Sequence, residues 1–303
     1  MNWKSQYDQT DRLYLDWDIH YQCNFSCSYC FQKFDNNLGT KIPNISTNIN
    51  YTLGLLKKHK LDFTLGLLGG EPTLNTEDYF SILDYFQDII LPEKPKSEIY
   101  VSTNLSKDIE FYKEHKPYKN IYQWVSIHPE YHLNDKDFFK KLLILKDKSP
   151  DQFILSPMLS KLTPEIISFY EKIYNMFLDY KDEENIIYSP QIIFEKGFVN
   201  NNNQEFDLSN PIFNNSIPEF ELNNKACTLN EFLQNPTSFR QTKCQYNYYN
   251  ISPELDCNGS CTGTSFNLKD NPIKFLNLKP KEIICKKEQC LDYPLLLSKK
   301  EYI

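Results

Sequence analysis

Three cysteines, Cys23, Cys27 and Cys30, stand in the spacing C-x3-C-x2-C within Tyr21-Gln-Cys-Asn-Phe-Ser-Cys-Ser-Tyr-Cys-Phe31. They follow directly on Leu13-Tyr-Leu-Asp-Trp-Asp-Ile-His20, where apolar and polar residues alternate as in a strand. Any fold of this chain must therefore bring three thiols into one loop at a strand end. Three thiolates so grouped can hold three irons of a [4Fe–4S] cube and leave the fourth iron open to a substrate or cofactor. A zinc ion with a distant fourth ligand is the other use of such a loop.

The alternation continues. Asp62–Leu68, Glu98–Ser102, Tyr122–Ile127, Phe153–Ser156 and Ile186–Phe194 read as five further strands. Asn75 is an N-cap, with Tyr79, Leu83, Phe86 and Ile90 on one helical face. Asn134 opens a second helix carrying Phe138, Phe139, Leu142 and Leu145, and Thr163-Pro164 opens a third. Repeated strand–helix units with right-handed crossovers give a parallel sheet curling toward a barrel. Six units fall short of the eight of a closed barrel. The expected class is α/β, a partial (β/α)6 TIM-like barrel with a small C-terminal cysteine-rich module. The expected division is barrel at 1–197, a polar linker or lid at 198–240, and the cysteine-rich module at 241–303.

Composition narrows the function. The net charge of −7 and the presence of only two arginines, Arg12 and Arg240, argue against a nucleic-acid surface. No apolar run is long enough to span a membrane, and the polar N-terminus has no signal-peptide core. A cytoplasmic location is expected. In that reducing compartment nine cysteines read as metal ligands rather than disulfides.

The second strand ends in Gly69-Gly-Glu-Pro72, and Tyr29 precedes the last cysteine of the loop. Alone, the glycine pair would be an ordinary tight turn. With the cysteine loop in front of it, the segment 12–195 resembles the radical S-adenosylmethionine superfamily. The resemblance implies a [4Fe–4S] cluster on Cys23, Cys27 and Cys30. Its open iron would chelate S-adenosylmethionine, and reductive cleavage would give a 5′-deoxyadenosyl radical that removes a hydrogen atom from the substrate. It implies Tyr29 near the adenine, Gly69 and Gly70 close to the methionine part, Glu71 accepting from the ammonium, and Pro72 stiffening the turn. At the next two strand ends, Ser102, Asn104 and Ser126 would bond the ribose or carboxylate. His128 stands where many members carry an acid. It reads as a general base or substrate contact with a near-neutral pKa, or else as a helix-capping or packing residue.

Six cysteines lie beyond residue 225: Cys227, Cys244, Cys257, Cys261, Cys285 and Cys290. Cys244 and Cys261 flank Ile251–Asp256, a candidate hairpin, and Cys285 and Cys290 follow. This group resembles the Twitch form of the SPASM-type extension, which implies an auxiliary [4Fe–4S] cluster on Cys244, Cys261, Cys285 and Cys290. The usual hairpin glycine is replaced around Leu255-Asp256, and Cys257 and Cys261 could exchange roles. A four-cysteine zinc site is the structural alternative. Cys257 and Cys227 are left as candidate hydrogen-atom donors, or as small buried hydrophobes.

The resemblance leaves the outcome of hydrogen abstraction open. A Twitch-like module in a chain of this size resembles dehydrogenases and epimerases of sugars and aminocyclitols. The expected substrate is a small polar molecule, with a flavodoxin- or ferredoxin-type reductant. Radical modification of a peptide, by thioether formation, crosslinking or epimerisation, is the alternative. An iron–sulfur electron carrier or a zinc-stabilised binding protein is the rival from another class, against which Gly69–Pro72 speaks.

Overall fold

The computed structural model describes residues 12–30, 45–149, 151, 153–159, 163–180, 186–192, 210–213, 220–222, 225–227, 242–259, 261–284 and 300–302. In chain order these form β1 (Arg12–Asp18), α1 (Ile45–Lys58), β2 (Asp62–Leu68), α2 (Thr76–Tyr85), β3 (Glu98–Thr103), α3 (Ile109–Glu114), β4 (Ile121–Ile127), α4 (Pro129–His132), α5 (Phe138–Asp147), β5 (Phe153–Leu159), α6 (Pro164–Tyr180), β6 (Ile186–Tyr188) and β7 (Gln191–Ile192). There follow β8 (Phe220–Leu222), β9 (Lys225–Cys227), β10 (Thr242–Tyr246), β11 (Tyr248–Ile251), β12 (Asp256–Gly259), β13 (Thr264–Asn267), α7 (Pro272–Leu276), β14 (Lys281–Ile284) and β15 (Lys300–Tyr302).

Strands β1 to β6 lie side by side in chain order, all parallel, as the partial-barrel reading expects. Crossover helices cover one face of this sheet. Odd-numbered β1 residues Leu13, Leu15 and Trp17 are buried in one core with Ile49, Leu53 and Leu56 of α1 and Tyr79, Ile82 and Leu83 of α2. Their spacing of three and four residues is what a helix needs to present one apolar stripe. Asn75 caps α2 as expected, its side chain accepting from the Asp78 amide. The α5 helix begins at Phe138, after Asn134, because Asp135 takes the Asp137 amide into a turn first.

The opposite face forms the concave side. At its floor the Arg12 guanidinium donates to Thr64 Oγ1 at 3.0 Å and to Glu98 Oε2 at 2.7 Å. Burial raises the Glu98 pKa, and Arg12 opposes that rise. A buried pair of this kind matters chiefly because losing one partner strands the other, at about 3–5 kcal/mol.

Two features depart from the expected pattern. The strand expected over 186–194 breaks at Ser189-Pro190: β6 and β7 both pair with β5 in the same register, with the ladder interrupted between them. Proline cannot donate to a ladder, so the break falls there. The segment after 241 also joins the barrel sheet. β11 pairs parallel with β1, and β12 and β13 extend the edge antiparallel, giving the order β13-β12-β11-β1-β2-β3-β4-β5-β6. The preceding strand β10 belongs instead to a second sheet, ordered β14-β10-β15-β8-β9. Asn247 alone separates β10 from β11. Its backbone carbonyl accepts from the Tyr14 amide, and its side chain donates to Arg12 O at 3.1 Å. Among the described residues, no helix is long and apolar enough to cross a membrane.

Candidate active site at the cysteine loop

The chain leaves β1 through His20 and Gln22 into the loop of Cys23, Cys27 and Cys30, none of which forms a disulfide. The end of β2 grips this entry strand. Gly70 N donates to His20 O at 2.9 Å and Glu71 N to Gln22 O at 2.8 Å. A Cβ on Gly69 would lie 2.2 Å from His20 O, and one on Gly70 would lie 1.9 Å from Gln22 O. Gly69 also has φ +129°, which L side chains rarely adopt. The glycine pair is thus required for contact between the second strand end and the cysteine loop itself.

Glu71 is 1% exposed. Its Oε1 accepts from Thr73 N at 3.2 Å, Thr73 Oγ1 at 2.5 Å and Thr103 Oγ1 at 2.8 Å, and its Oε2 from Asn104 N at 2.6 Å. Burial raises its pKa against these donors. Its carboxylate braces the ends of β2 and β3, so the expected bond to an ammonium meets oxygens already held by four protein donors. Pro72 starts the short turn at Pro72–Leu74 that Glu71 caps. Asn104 turns to the loop, donating to Asn24 Oδ1 at 3.2 Å and to Cys23 Sγ at 3.6 Å. Ser102 and Ser126 are half-buried on β3 and β4, on the concave face with Gly66, Tyr100 and Trp124.

His128 lies against the cysteine loop. Its Nδ1 is 2.8 Å from the Tyr29 hydroxyl and 3.4 Å from Cys27 Sγ, so the ring faces the cysteine loop. Burial lowers its pKa to about 4, well below the near-neutral value expected. It occupies the N-cap position of α4 with no side-chain cap bond. Three neighbours that the sequence reading missed complete the contact. Glu130 accepts from Ser28 N at 3.1 Å and from the Ser28 hydroxyl. The Tyr131 hydroxyl accepts from Ser26 N at 2.5 Å, and its ring stacks on Phe25 at 3.9 Å between centroids. His132 accepts the His128 amide on Nδ1 and donates from Nε2 to Asn104 O at 2.7 Å. The signal for them was Pro129 directly after a strand, flanked by polar and aromatic residues.

The donor set fits a cluster. Phe25 N donates to Cys23 Sγ at 3.4 Å, and Asn104 and His128 approach Cys23 and Cys27. The donors from Phe25 and Asn104 are N–H contacts of the kind that cluster thiolates take. Without metal, burial first, then the Glu130 charge, pushes the Cys27 thiol up to about 12, and burial raises Cys23. Metal binding would displace those protons. Among the described residues no three His, Cys, Asp or Glu side chains converge on a single ion. A cube makes no such demand, since each cysteine holds its own iron.

The concave face beside the loop carries Asp16 and Asp18. Tyr248 donates its hydroxyl to Asp16 Oδ2, and Asn250 donates to Asp18 Oδ2 at 3.3 Å. Gly66 makes room, since a Cβ there would lie 2.4 Å from Asp16 Oδ1. Burial raises both carboxyls, Asp16 to about 7.

The second cysteine group is partly described. The hairpin expected at 251–256 is present as β11 and β12. Leu255 takes φ +71° there, the conformation that a glycine would supply, and is fully buried. Cys257 is opposite Ile251 and Phe266, on the helix-covered face, 0% exposed, with its thiol pushed up to about 12 by burial. That position suits a small buried hydrophobe and is turned away from Asp16 and Asp18. Cys261 is half-buried in the following turn. Cys227 ends β9 and Cys244 lies within β10, on the second sheet. Cys285 and Cys290 lie outside the described residues.

A protein-family model described as "4Fe-4S single cluster domain" matches residues 19–137. A 67-residue stretch is 36% identical to an uncharacterized protein of Methanocaldococcus jannaschii, covering 22% of this chain and 22% of that protein. Among solved structures, native anSMEcpe with bound AdoMet aligns over 88% of this chain and 80% of its own, at TM-score 0.55 and 15% identity. The same protein with bound AdoMet and Cp18Cys peptide aligns over the same shares, at TM-score 0.53 and 14% identity. At these identities the likeness speaks for the fold. The family match over 19–137 includes the cysteine loop and agrees with a [4Fe–4S] cluster there, and the likeness to AdoMet-bound anSMEcpe is a likeness of fold.

Proposed function

We propose that the protein binds a [4Fe–4S] cluster on Cys23, Cys27 and Cys30 and S-adenosylmethionine beside it, and removes a hydrogen atom from a small polar substrate. The observation that carries this reading is the backbone pairing of Gly70 and Glu71 with His20 and Gln22, which makes the cysteine loop and the Gly69–Pro72 strand end one unit. When bound, the cluster supplies the open iron and the electron that cleavage of S-adenosylmethionine requires. The chain's own part is to hold and shield that centre. Gly69 and Gly70 keep the strand end against the loop, Glu71 fixes the β2 and β3 ends, and Ser102 and Ser126 offer hydroxyls on the concave face.

Asp16, Asp18, Tyr248 and Asn250 support a substrate rich in hydroxyl or amino groups, as a sugar or aminocyclitol derivative would be. Burial of Cys257 away from the concave face speaks against it as the hydrogen donor of an epimerisation, which leaves Cys227 for that role and dehydrogenation as the other outcome. An auxiliary [4Fe–4S] cluster on Cys244, Cys261, Cys285 and Cys290 would accept the electron, and a flavodoxin- or ferredoxin-type protein would supply the first one. A peptide substrate is the second reading, equally open, favoured by the peptide-bound forms of anSMEcpe.

The test is anaerobic incubation of the iron-loaded protein with S-adenosylmethionine and dithionite. Formation of 5′-deoxyadenosine is expected from the wild type and none from Cys23→Ala/Cys27→Ala/Cys30→Ala. No nucleoside from an iron-loaded wild type would make the protein an electron carrier or a binding protein. Iron left on the triple variant reads out the auxiliary site.

A further inference from the structure

We propose that His128 and Tyr29 form a hydrogen-bond relay to the Cys27 sulfur that sets the reduction potential of the cluster held by the loop. This rests on the cluster assignment above and concerns residues that are not themselves ligands.

The relay begins with a fixed imidazole. Pro129 biases the preceding residue toward extended backbone, and His128 has φ −100° and ψ 104°. Its amide is held by His132 Nδ1 at 3.0 Å. His132 must carry its proton on Nε2, because the partner there, Asn104 O, can only accept. His132 thereby ties the β4 end to the β3 end. The loop is fastened to the same turn by Glu130 and Tyr131. His128 Nδ1 therefore meets the loop at a fixed place, 2.8 Å from the Tyr29 hydroxyl and 3.4 Å from Cys27 Sγ. The Tyr29 hydroxyl and the Cys27 sulfur thus share the same imidazole nitrogen.

The relay commits His128 to the tautomer protonated on Nδ1, since an unprotonated Nδ1 would take the Tyr29 O–H and leave the sulfur without a donor. A cluster-bound Cys27 is a thiolate and can only accept. Tyr29 then donates its O–H to sulfur, and its oxygen is free to accept from His128 Nδ1–H. Alternatively His128 donates to sulfur directly. In each case the pair delivers a proton-bearing donor to the thiolate. Reduction adds negative charge to the cluster, and donors to its sulfurs stabilise that charge, so the potential rises. His128, Glu130 and Tyr131 act as positioning residues.

The test is an anaerobic redox titration followed by electron paramagnetic resonance, on the reduced signal that changes when S-adenosylmethionine is added. His128→Leu and Tyr29→Phe should each keep wild-type iron and shift the midpoint to more negative potential. His128→Gln, which keeps an N–H donor, should recover part of the shift. Wild-type midpoints in both His128→Leu and Tyr29→Phe, with iron retained, would overturn the relay. Loss of iron from both, with the wild type loaded, would make the contact structural and overturn it equally. A wild type that binds no iron at the loop would instead overturn the cluster assignment.

Discussion

The α-carbon of Gly70 faces the carbonyl of Gln22 so closely that a methyl group there would lie 1.9 Å from the oxygen. Two strands that never pair side chains at this point are in backbone contact. Gly70→Ala must push the entry to the cysteine loop aside, at a cost of about 1–3 kcal/mol by overpacking. Iron bound after reconstitution should fall to less than about half of wild type. Circular dichroism should still report a folded barrel, since the strain is confined to a loop.

Glu71→Ala should act as a structural lesion. It leaves the amides of Thr73 and Asn104 and the Thr103 hydroxyl without their acceptor in a buried place. Each such group costs about 1–3 kcal/mol, so a loss of at least about 3 kcal/mol is expected in urea unfolding. Because Asn104 also touches Cys23 and Asn24, iron content should drop as well. Wild-type stability with weakened S-adenosylmethionine binding would restore the direct cofactor contact.

Asp16 sets a pH dependence. Its pKa is raised from 3.8 to about 7, chiefly by burial, with Tyr248 opposing and Asp18 adding. The folded state therefore binds a proton that the unfolded chain releases. The stabilisation is fully present below about pH 4 and is lost as pH rises through about 7. Asp16→Asn should remove that dependence and be more stable than wild type at pH 8. Urea midpoints at pH 5 and pH 8 measure this, and parallel falls in both proteins would point to another group.

Leu255 combines a strained backbone with a buried side chain. Leu255→Gly relieves about 1–2 kcal/mol of left-handed strain but empties a site that costs about 2–5 kcal/mol. The cavity wins, so the variant should be less stable by about 1–3 kcal/mol. A more stable variant would mean that the turn, and not the packing, limits the hairpin.

The parallel strands were legible because each is a short alternating or apolar run at a helix-length interval. The α1 helix was not recognised, since Ile45–Asn50 mixes polar residues into its first turn and only the later leucines mark a face. The partnership of β11 with β1 is a pairing across more than two hundred residues, and local pattern carries no register over that distance. The cysteine loop and glycine pair could be named from spacing, but their mutual contact could not. The lowered pKa of His128 was not legible, because a strand-end histidine in a barrel is exposed by default, whereas here the loop folds back over it.

The position of β1 also has a consequence for synthesis. It is an interior strand, flanked by β2 on one side and β11 on the other. Its second hydrogen-bonding edge stays unpaired until Tyr248–Ile251 emerges from the ribosome. Such an edge is a template for wrong pairings, and contacts of this separation form slowly. The nascent chain therefore carries its cysteine loop on a half-finished sheet until Tyr248–Ile251 has been made, so a mature loop environment arises only once β11 has docked on β1.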